Sequence, residues 1–124
     1  MDEQDLIYDW NEIDYEIERD ESRHPHELWF DDETLRDGLQ SPSARNPTIE
    51  QKIELVDFME SLGIQKVDLG LPGAGPFHIG HIDAMLSHMG DNGYALRPGC
   101  AVRTVVSDIE PLVDLQAKHE RQIQ

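Results

Sequence analysis

From residue 28 onward, short apolar runs alternate with longer stretches in which apolar residues recur at helical spacing. The runs occupy residues 28–30, 66–71 and 101–106, and we interpret them as strands. Strands that are separated by amphipathic helices pair in parallel through right-handed crossovers. The alternation therefore predicts an α/β fold with a parallel sheet, although three such units do not distinguish an open sheet from a closed barrel.

Three helices are predicted between and after these strands. The first opens at a capping box formed by Thr48 and Gln51 and stops at Gly63, a residue type suited to a left-handed helix end. The second runs from about Phe77 to Met89 and ends at Gly90, and the third opens at a second capping box, Ser107–Glu110, and continues to the end of the chain. Four residues of the first helix are expected to point inward: Ile53, Val56, Met59 and Leu62.

The composition narrows the class of protein. A chain of 124 residues is long enough for one ordinary domain, and its formal charge of −16 argues against nucleic acids and anionic membrane surfaces as partners. No apolar run reaches transmembrane length, and residues 1–5 show neither the basic region nor the apolar core of a signal peptide. Cys100 is the single cysteine, which excludes an intrachain disulfide and a cysteine metal cage. We expect a soluble, cytoplasmic protein.

The charge is concentrated near the amino terminus, where residues 1–22 carry ten acidic side chains against Arg19 alone. We therefore divide the chain into an acidic extension, residues 1–27, and an α/β part, residues 28–124. The strict alternation of Glu12–Glu18 fits a half-buried strand, and it fits equally a segment that orders only on a partner. The pair His24-Pro25-His26 is interpreted as linker.

Candidate chemistry is densest in residues 31–40, directly after the first predicted strand. In α/β proteins, ligand sites tend to lie at the carboxyl ends of the strands. Arg36 and Asp37 are neighbours, and neighbours on a strand point to opposite faces, so they can share a site only if the chain bends there. Gly38 is expected to allow that bend. The alternative is an ordinary exposed ion pair in a loop.

The residues Asp32-x-Thr34-Leu35-Arg36-Asp37-Gly38-x-Gln40-Ser41-Pro42 resemble the first-strand signature of the DRE-TIM metallolyase family. That family includes isopropylmalate, homocitrate and citramalate synthases and hydroxymethylglutaryl-CoA lyase. Its usual form is Asp-Thr-Thr-Leu-Arg-Asp-Gly-x-Gln, so Glu33 replaces a threonine here. The resemblance covers residues 28–121 and implies a (β/α)8 TIM barrel, a fold of about 250 residues. This chain would hold the first three βα units, as an amino-terminal fragment or one piece of a split protein.

The resemblance also implies roles for individual residues. Arg36 matches the family's catalytic arginine, Asp37 its aspartate ligand to a divalent metal ion (Mg, Mn or Zn), and Gln40 a glutamine that lines the substrate pocket. Asp68 stands where the family usually has the glutamate of Glu-x-Gly-x-Pro, and we expect it to serve the site, with the shorter reach of an aspartate. Arg103 is either a substrate contact or a strand-end arginine paired with a carboxylate.

The implied metal site is incomplete in this chain. The family's remaining protein ligands are chiefly a His-x-His pair on a late strand. This chain lacks that strand and its pair. One carboxylate would not hold a catalytic cation tightly, because such sites need several protein ligands. The fragment is therefore expected to be inactive alone and to need the rest of the barrel or a second copy as a partner.

The preferred function is an isopropylmalate synthase-like acyltransferase that condenses acetyl-CoA with a 2-keto acid. Aldol cleavage of the hydroxymethylglutaryl-CoA lyase type is an alternative within the family, and a non-catalytic binding or assembly module is an alternative outside it. A third alternative rests on His78-Ile79-Gly80-His81, which resembles the HIGH signature of class I aminoacyl-tRNA synthetases and related nucleotidylyltransferases. In that interpretation the two imidazoles would contact ATP phosphates at a helix N-terminus.

Overall fold

The computed structural model describes residues 29–124, which form an arrangement of short strands and helices. In chain order the elements are β1 (Asp31–Asp32), α1 (Ile49–Leu62), β2 (Lys66–Asp68), α2 (Pro76–Asp91), β3 (Arg97–Gly99) and α3 (Val106–His119). The strands form one parallel sheet in the order β1-β2-β3. The α/β class and the parallel pairing are thus confirmed, and a closed barrel is not formed by residues 29–124. Residues 1–27 and Leu28, with the predictions made for them, lie outside the described residues.

The start and end of α1 follow the predicted chemistry. The Thr48 side chain accepts a hydrogen bond from the Gln51 backbone N–H, and the Thr48 N–H donates to Oε1 of Gln51 at 3.0 Å. Gly63 ends the helix with φ at 74°, in the left-handed region that costs glycine least. Val56 and Met59 are buried and Ile53 packs against them, but Leu62 is 77% exposed, so its predicted inward orientation is wrong.

Helix α2 supplies the largest part of the core. It begins at Pro76, one residue before the prediction, and ends at Asp91. Its buried face packs against the central strand, where Val67 is fully enclosed, and against Leu69 just beyond it. The face consists of Ile82, Met85, Leu86 and Met89. Helix α2 therefore covers one face of the sheet, whereas a parallel sheet normally has both faces covered.

The third strand is not where the sequence predicted it. We expected residues 101–106, whose β-branched side chains favour a strand, but β3 is Arg97–Gly99 and residues 101–105 are irregular. Burial decides the outcome, because Leu96 and Pro98 are less than 2% exposed while Val102 and Val105 are 37% and 44% exposed. Pro98 is tolerated since its position faces the sheet edge away from β2, where its carbonyl accepts from the Gln124 N–H at 3.0 Å.

Helix α3 also departs from the prediction at both ends. It begins at Val106 with Val105 as a cap that makes no side-chain hydrogen bond, so the capping box at Ser107–Glu110 is not formed. It ends at His119, before the end of the chain. Beyond it, the Cys100 N–H donates to the Gln124 carbonyl at 2.9 Å, so Gln124 pairs with the outer edge of β3. None of the helices in residues 29–124 has the length and apolar character that crossing a membrane requires.

Candidate active site

The turn after β1 is built around the backbone carbonyl of Glu33. That carbonyl accepts hydrogen bonds from the N–H groups of Arg36, Asp37 and Gly38 at 2.8–3.2 Å, and Oδ1 of Asp32 accepts from the Thr34 N–H at 2.8 Å. The chain therefore bends over residues 33–38, as a shared site requires. Gly38 is not among the glycines with positive φ, so the expectation that it makes the bend possible is wrong.

The turn brings the guanidinium of Arg36 to the end of the neighbouring strand. Its Nε lies 3.3 Å from Oδ2 of Asp68, the last residue of β2, and its Nη1 lies 3.6 Å from Oδ1 of Asp37. The three residues predicted to act together are therefore neighbours. Arg36 retains partial exposure, whereas the Asp37 side chain is 69% exposed and free to meet a ligand.

Asp68 is the more enclosed of the two carboxylates, with its side chain 13% exposed. Its Oδ1 accepts a hydrogen bond from the Gly70 N–H at 2.9 Å. Burial raises the pKa of Asp68, and that hydrogen bond lowers it by less. The charge of Glu33 raises the pKa further, and the charge of Arg36 lowers it. A carboxyl group of this kind can bind a cationic group or hold a proton at a higher pH than an exposed aspartate.

Two cavities adjoin the pair formed by Arg36 and Asp68. A cavity of about 110 Å³ is lined by Asp68 and Glu33 together with Cys100. A larger cavity of about 300 Å³ is lined by Arg36 and Gln40 and extends towards α1 and α2. Gln40, predicted to line a substrate pocket, thus borders a cavity that Arg36 shares. Burial raises the pKa of the Cys100 thiol to about 12, which disfavours the thiolate form that a nucleophilic cysteine needs.

Comparison with known proteins identifies relatives among two kinds of synthase. A homocitrate synthase AksA of Methanopyrus kandleri is 35% identical over 92 residues, which is 73% of this chain and 21% of the relative. A 2-isopropylmalate synthase of Sediminispirochaeta smaragdinae is 40% identical over 52 residues, 42% of this chain and 10% of the relative. The homocitrate synthase AksA of Methanosarcina acetivorans is 29% identical over 90 residues. The chain belongs to the DRE-TIM metallolyase family.

The chain matches only part of the length of each relative. The chain spans about a fifth of the length of the homocitrate synthases it matches, which agrees with an amino-terminal portion of a DRE-TIM protein. No family model matches the chain, and no solved structure matches it. The family assignment therefore depends on the curated relatives together with the signature residues of the first turn.

Two residues depart from the DRE-TIM pattern, and they approach the same arginine. Asp68 replaces the family's glutamate, and Glu33 replaces its threonine. Oε2 of Glu33 accepts a hydrogen bond from Nε of Arg36 at 2.6 Å and also contacts Nη2. The role of Glu33 was not predicted, although its spacing of three residues from Arg36 within a turn is a recognisable signal for an ion pair.

Arg103 is held by α3. Its Nε and Nη2 donate to the two carboxylate oxygens of Asp108 at 2.8 and 2.9 Å, and its backbone N–H also donates to Oδ2. Arg103 lies in the irregular segment before α3, since the strand predicted there is not formed. The pairing of Arg103 with a carboxylate, one of the two alternatives that the sequence left open, is thus present. Within residues 29–124, no ion pair links Arg103 to the carboxylates around Arg36.

The DRE-TIM family implies a divalent metal ion, for which Asp37 is the candidate ligand in this chain. Asp37 offers an exposed carboxylate, but its Oδ1 already lies 3.6 Å from the Arg36 guanidinium. No group of three histidine, cysteine or acidic side chains is placed to hold a metal ion within residues 29–124. These residues by themselves do not fit a tightly held cation, because such a site needs several ligands.

Proposed function

We propose that this chain provides the first three βα units of a DRE-TIM synthase that condenses acetyl-CoA with a 2-keto acid. In such a reaction the acetyl methyl carbon gives up a proton to a base and bonds to the keto carbon. The keto oxygen then takes a proton, and water hydrolyses the thioester to release the thiol of CoA. These substrates are the ones that the resemblance to the DRE-TIM family implies. The synthase names of the relatives and the placement of Arg36 beside Asp37 and Asp68 support the proposal.

Within this reaction the guanidinium of Arg36 stabilises negative charge that develops on the keto oxygen. Asp68 orients Arg36 from the end of β2, and Gln40 borders the cavity beside it. Asp37 contributes one carboxylate to a divalent cation whose other ligands are not among residues 29–124. We assign no reaction step to that cation, and no base among the described residues.

The synthase is favoured over the other candidates by the comparisons. The relatives reported above are named synthases, whereas a lyase role rests on the shared signature alone. His78 and His81 lie in the first turns of α2 and line the larger cavity, but kinship with synthases argues against nucleotidyl transfer as their role. An assembly module without activity remains the competing proposal from another class.

The test measures thiol release from acetyl-CoA across a panel of 2-keto acids, with Mg²⁺, Mn²⁺ and Zn²⁺ each supplied. The protein is expressed at the full length that its coding sequence gives. We expect Arg36→Ala and Asp37→Ala to reduce the rate by about 10²-fold or more, in the range seen when a group that stabilises the transition state is removed. The 124 residues alone are expected to release no thiol.

Arg45→Ala is the matched control, because Arg45 is an exposed arginine in the same connection between β1 and α1. It should leave the rate unchanged. Thiol release that survives Arg36→Ala would overturn the proposed role of that residue. Its complete absence in the full-length protein would favour the assembly module.

A further inference from the structure

A second surface lies at the amino-terminal ends of the strands, opposite to the end that carries Arg36 and Asp68. A cavity of about 310 Å³ opens there, where the chain enters β2 and β3. We call it the basal groove. Its lining includes Trp29, Gly63, Ile64, Gln65, Ala95 and Arg97. None of these residues belongs to the candidate active site.

One wall of the basal groove combines an aromatic ring with a cation. Cζ of Arg97 lies 4.3 Å from the centroid of the Trp29 ring, which is a cation–π contact. Trp29 nevertheless stays 46% exposed, and its neighbour Phe30 is 65% exposed. Large apolar side chains that are exposed side by side mark a surface onto which another segment can pack.

Three cations lie at this end of the sheet. Arg97 and Lys66 are register partners on neighbouring strands, so their side chains leave the same face of the sheet. The guanidinium of Arg121 donates to two backbone carbonyls just before β3. Within residues 29–124, none of the three forms an ion pair with a carboxylate. The Lys and Arg side chains that do form such pairs lie elsewhere: Arg36, Arg103 and Lys118.

The carboxylates at this end do not cancel the three positive charges. Glu60 is engaged by the backbone, since its two oxygens accept from the N–H groups of Ala95 and Leu96 at 3.0 and 2.8 Å. Asp31 is the register partner of Lys66, but the two side chains form no ion pair. Three cations thus face two carboxylates here, in a chain whose formal charge is −16. This local excess of positive charge favours an acidic occupant.

The chain itself contains a segment of matching charge. Residues 1–22 carry ten acidic side chains against Arg19 alone, and the alternating stretch Glu12–Glu18 holds four of them. This stretch leads through residues 19–28 directly to Trp29, which lines the basal groove. Glu18 is eleven positions before Trp29 in the sequence, and an extended chain covers up to about 36 Å over that separation. The connection is therefore long enough for the acidic residues to reach the groove.

We propose that the acidic stretch Glu12–Glu18 docks in the basal groove of its own chain, with its carboxylates beside Arg97 and Lys66. The covalent connection favours this occupant over a separate acidic protein, because it holds the stretch at a high effective concentration. The alternating apolar residues of the stretch supply contacts for Trp29 and Ile64. Docking at this end leaves the surroundings of Arg36 open, so the inference does not depend on the synthase activity proposed above.

The experiment attaches a nitroxide spin label beside the acidic stretch of the 124-residue chain and measures the broadening of backbone amide signals by NMR. Asn11→Cys supplies the attachment site without removing an acidic residue. Cys100 is buried and its thiol has a pKa raised to about 12, which disfavours its reaction with the label. We expect broadening at Gly63, Gln65 and Ala95, and none in the loop that follows β2. Broadening that misses the basal groove would overturn the proposal.

Two substitutions test the role of charge. Arg97→Gln should reduce the broadening at the groove severalfold, because it removes a cation that faces the acidic stretch. Arg45→Gln removes an exposed arginine from the connection between β1 and α1 and should leave the broadening unchanged. Broadening that persists in full in Arg97→Gln would overturn the proposal.

A change within the acidic stretch keeps the proposal testable if Arg97→Gln does not fold. Replacing the four acidic residues of Glu12–Glu18 by their amides should reduce the broadening at the groove severalfold. The matched control replaces four other acidic residues by their amides and should not reduce it: Asp2, Glu3, Asp5 and Asp9. Equal effects of the two replacements would contradict docking of this particular stretch.

A mixing experiment distinguishes docking within one chain from docking onto a second copy. Isotope-labelled protein without the nitroxide is mixed with spin-labelled protein that carries no isotope, so that only contacts between chains broaden the observed signals. Docking within one chain predicts no broadening at the groove in this mixture. Broadening as strong as in the doubly labelled chain would mean that a second copy occupies the groove, and it would overturn the proposal.

Discussion

The guanidinium Nε of Arg36 lies 3.3 Å from the carboxylate Oδ2 of Asp68, which links the turn after β1 to the end of β2. The same guanidinium is hydrogen-bonded by Glu33 at 2.6 Å, so two carboxylates compete for one cation. Glu33 and Asp68 are both departures from the DRE-TIM pattern. Because both contact Arg36, their effects on this residue are expected to be coupled. Substituting Glu33 should change the ionisation of Asp68.

Glu33→Thr, which restores the family residue, should lower the pKa of Asp68. The negative charge of Glu33 raises the pKa of Asp68, and its removal also leaves Arg36 free to interact more closely with the remaining carboxylate. The measurement is a pH titration of the Asp68 carboxyl carbon by NMR. Glu50→Thr, an exposed glutamate on α1, is the control and should leave the titration unchanged. A pKa that stays the same or rises in Glu33→Thr would contradict the coupling.

Asp68→Asn should increase the free energy of unfolding at pH 7. Burial raises the folded-state pKa of Asp68, so the ionised carboxylate lowers the free energy of unfolding at a pH above that pKa. This cost disappears as the pH falls from the folded-state pKa to the ordinary value of 3.8. The asparagine oxygen can still accept the hydrogen bond from Gly70. The advantage of the variant over the wild type should therefore shrink as the pH is lowered.

Urea unfolding at several pH values measures this difference. Asp114→Asn, on the exposed face of α3, removes the same charge and should show little change in either stability or its pH dependence. A less stable Asp68→Asn protein at pH 7 would mean that the pairing with Arg36 outweighs the burial of the carboxylate. In either case the comparison separates stability from the proposed catalytic role.

Gly73→Ala should destabilise the loop that follows β2. A Cβ atom at Gly73 would overlap Cγ of Asp108, the carboxylate that holds Arg103. The side chain of Asp108 is buried, so it has little room to move. We expect a loss of about 1–3 kcal/mol, the usual range for overpacking, measured by urea unfolding.

Gly80→Ala is the matched substitution with the opposite expected sign. No atom lies within 4 Å of a Cβ at Gly80, which is in the interior of α2. An alanine there should stabilise the helix by about 0.5–1 kcal/mol, because glycine loses more backbone freedom on folding. Equal effects of the two substitutions would contradict the contact between Gly73 and Asp108.

The sequence predicted the helices better than the third strand, and the reason is physical. Helix α1 has local signals at both ends, in Thr48 and Gly63, so its limits do not depend on distant contacts. The position of β3 is decided by burial in the core, which favours Leu96 and Pro98 over a run of valines with higher strand propensity. Proline and glycine in Arg97–Gly99 concealed the strand from a propensity-based interpretation.

The candidate site was predictable to the extent that it follows a sequence signature. Arg36, Asp37 and Asp68 were expected together, and the structure places them within ion-pair distance. The burial of Lys52 was not predictable from its position, because lysine is normally assigned to the exposed face of a helix. The burial of Lys52 results from the packing of α1 between α2 and the turn that follows β1. No local sequence pattern specifies this packing.

Thr48→Ala should cost about 1 kcal/mol, the typical value for the loss of a helix N-cap. Its side chain accepts from the Gln51 N–H, and Gln51 reciprocates at 3.0 Å, so the substitution removes one half of a complete capping box. Ser107→Ala is the matched comparison, because the sequence suggests the same motif there while α3 begins at Val106 and its cap makes no side-chain hydrogen bond. We expect that variant to stay within about 0.5 kcal/mol of the wild type in urea unfolding. Similar losses in both variants would mean that Ser107 caps α3 in solution, and the start of that helix would then have to be assigned closer to the one predicted from sequence.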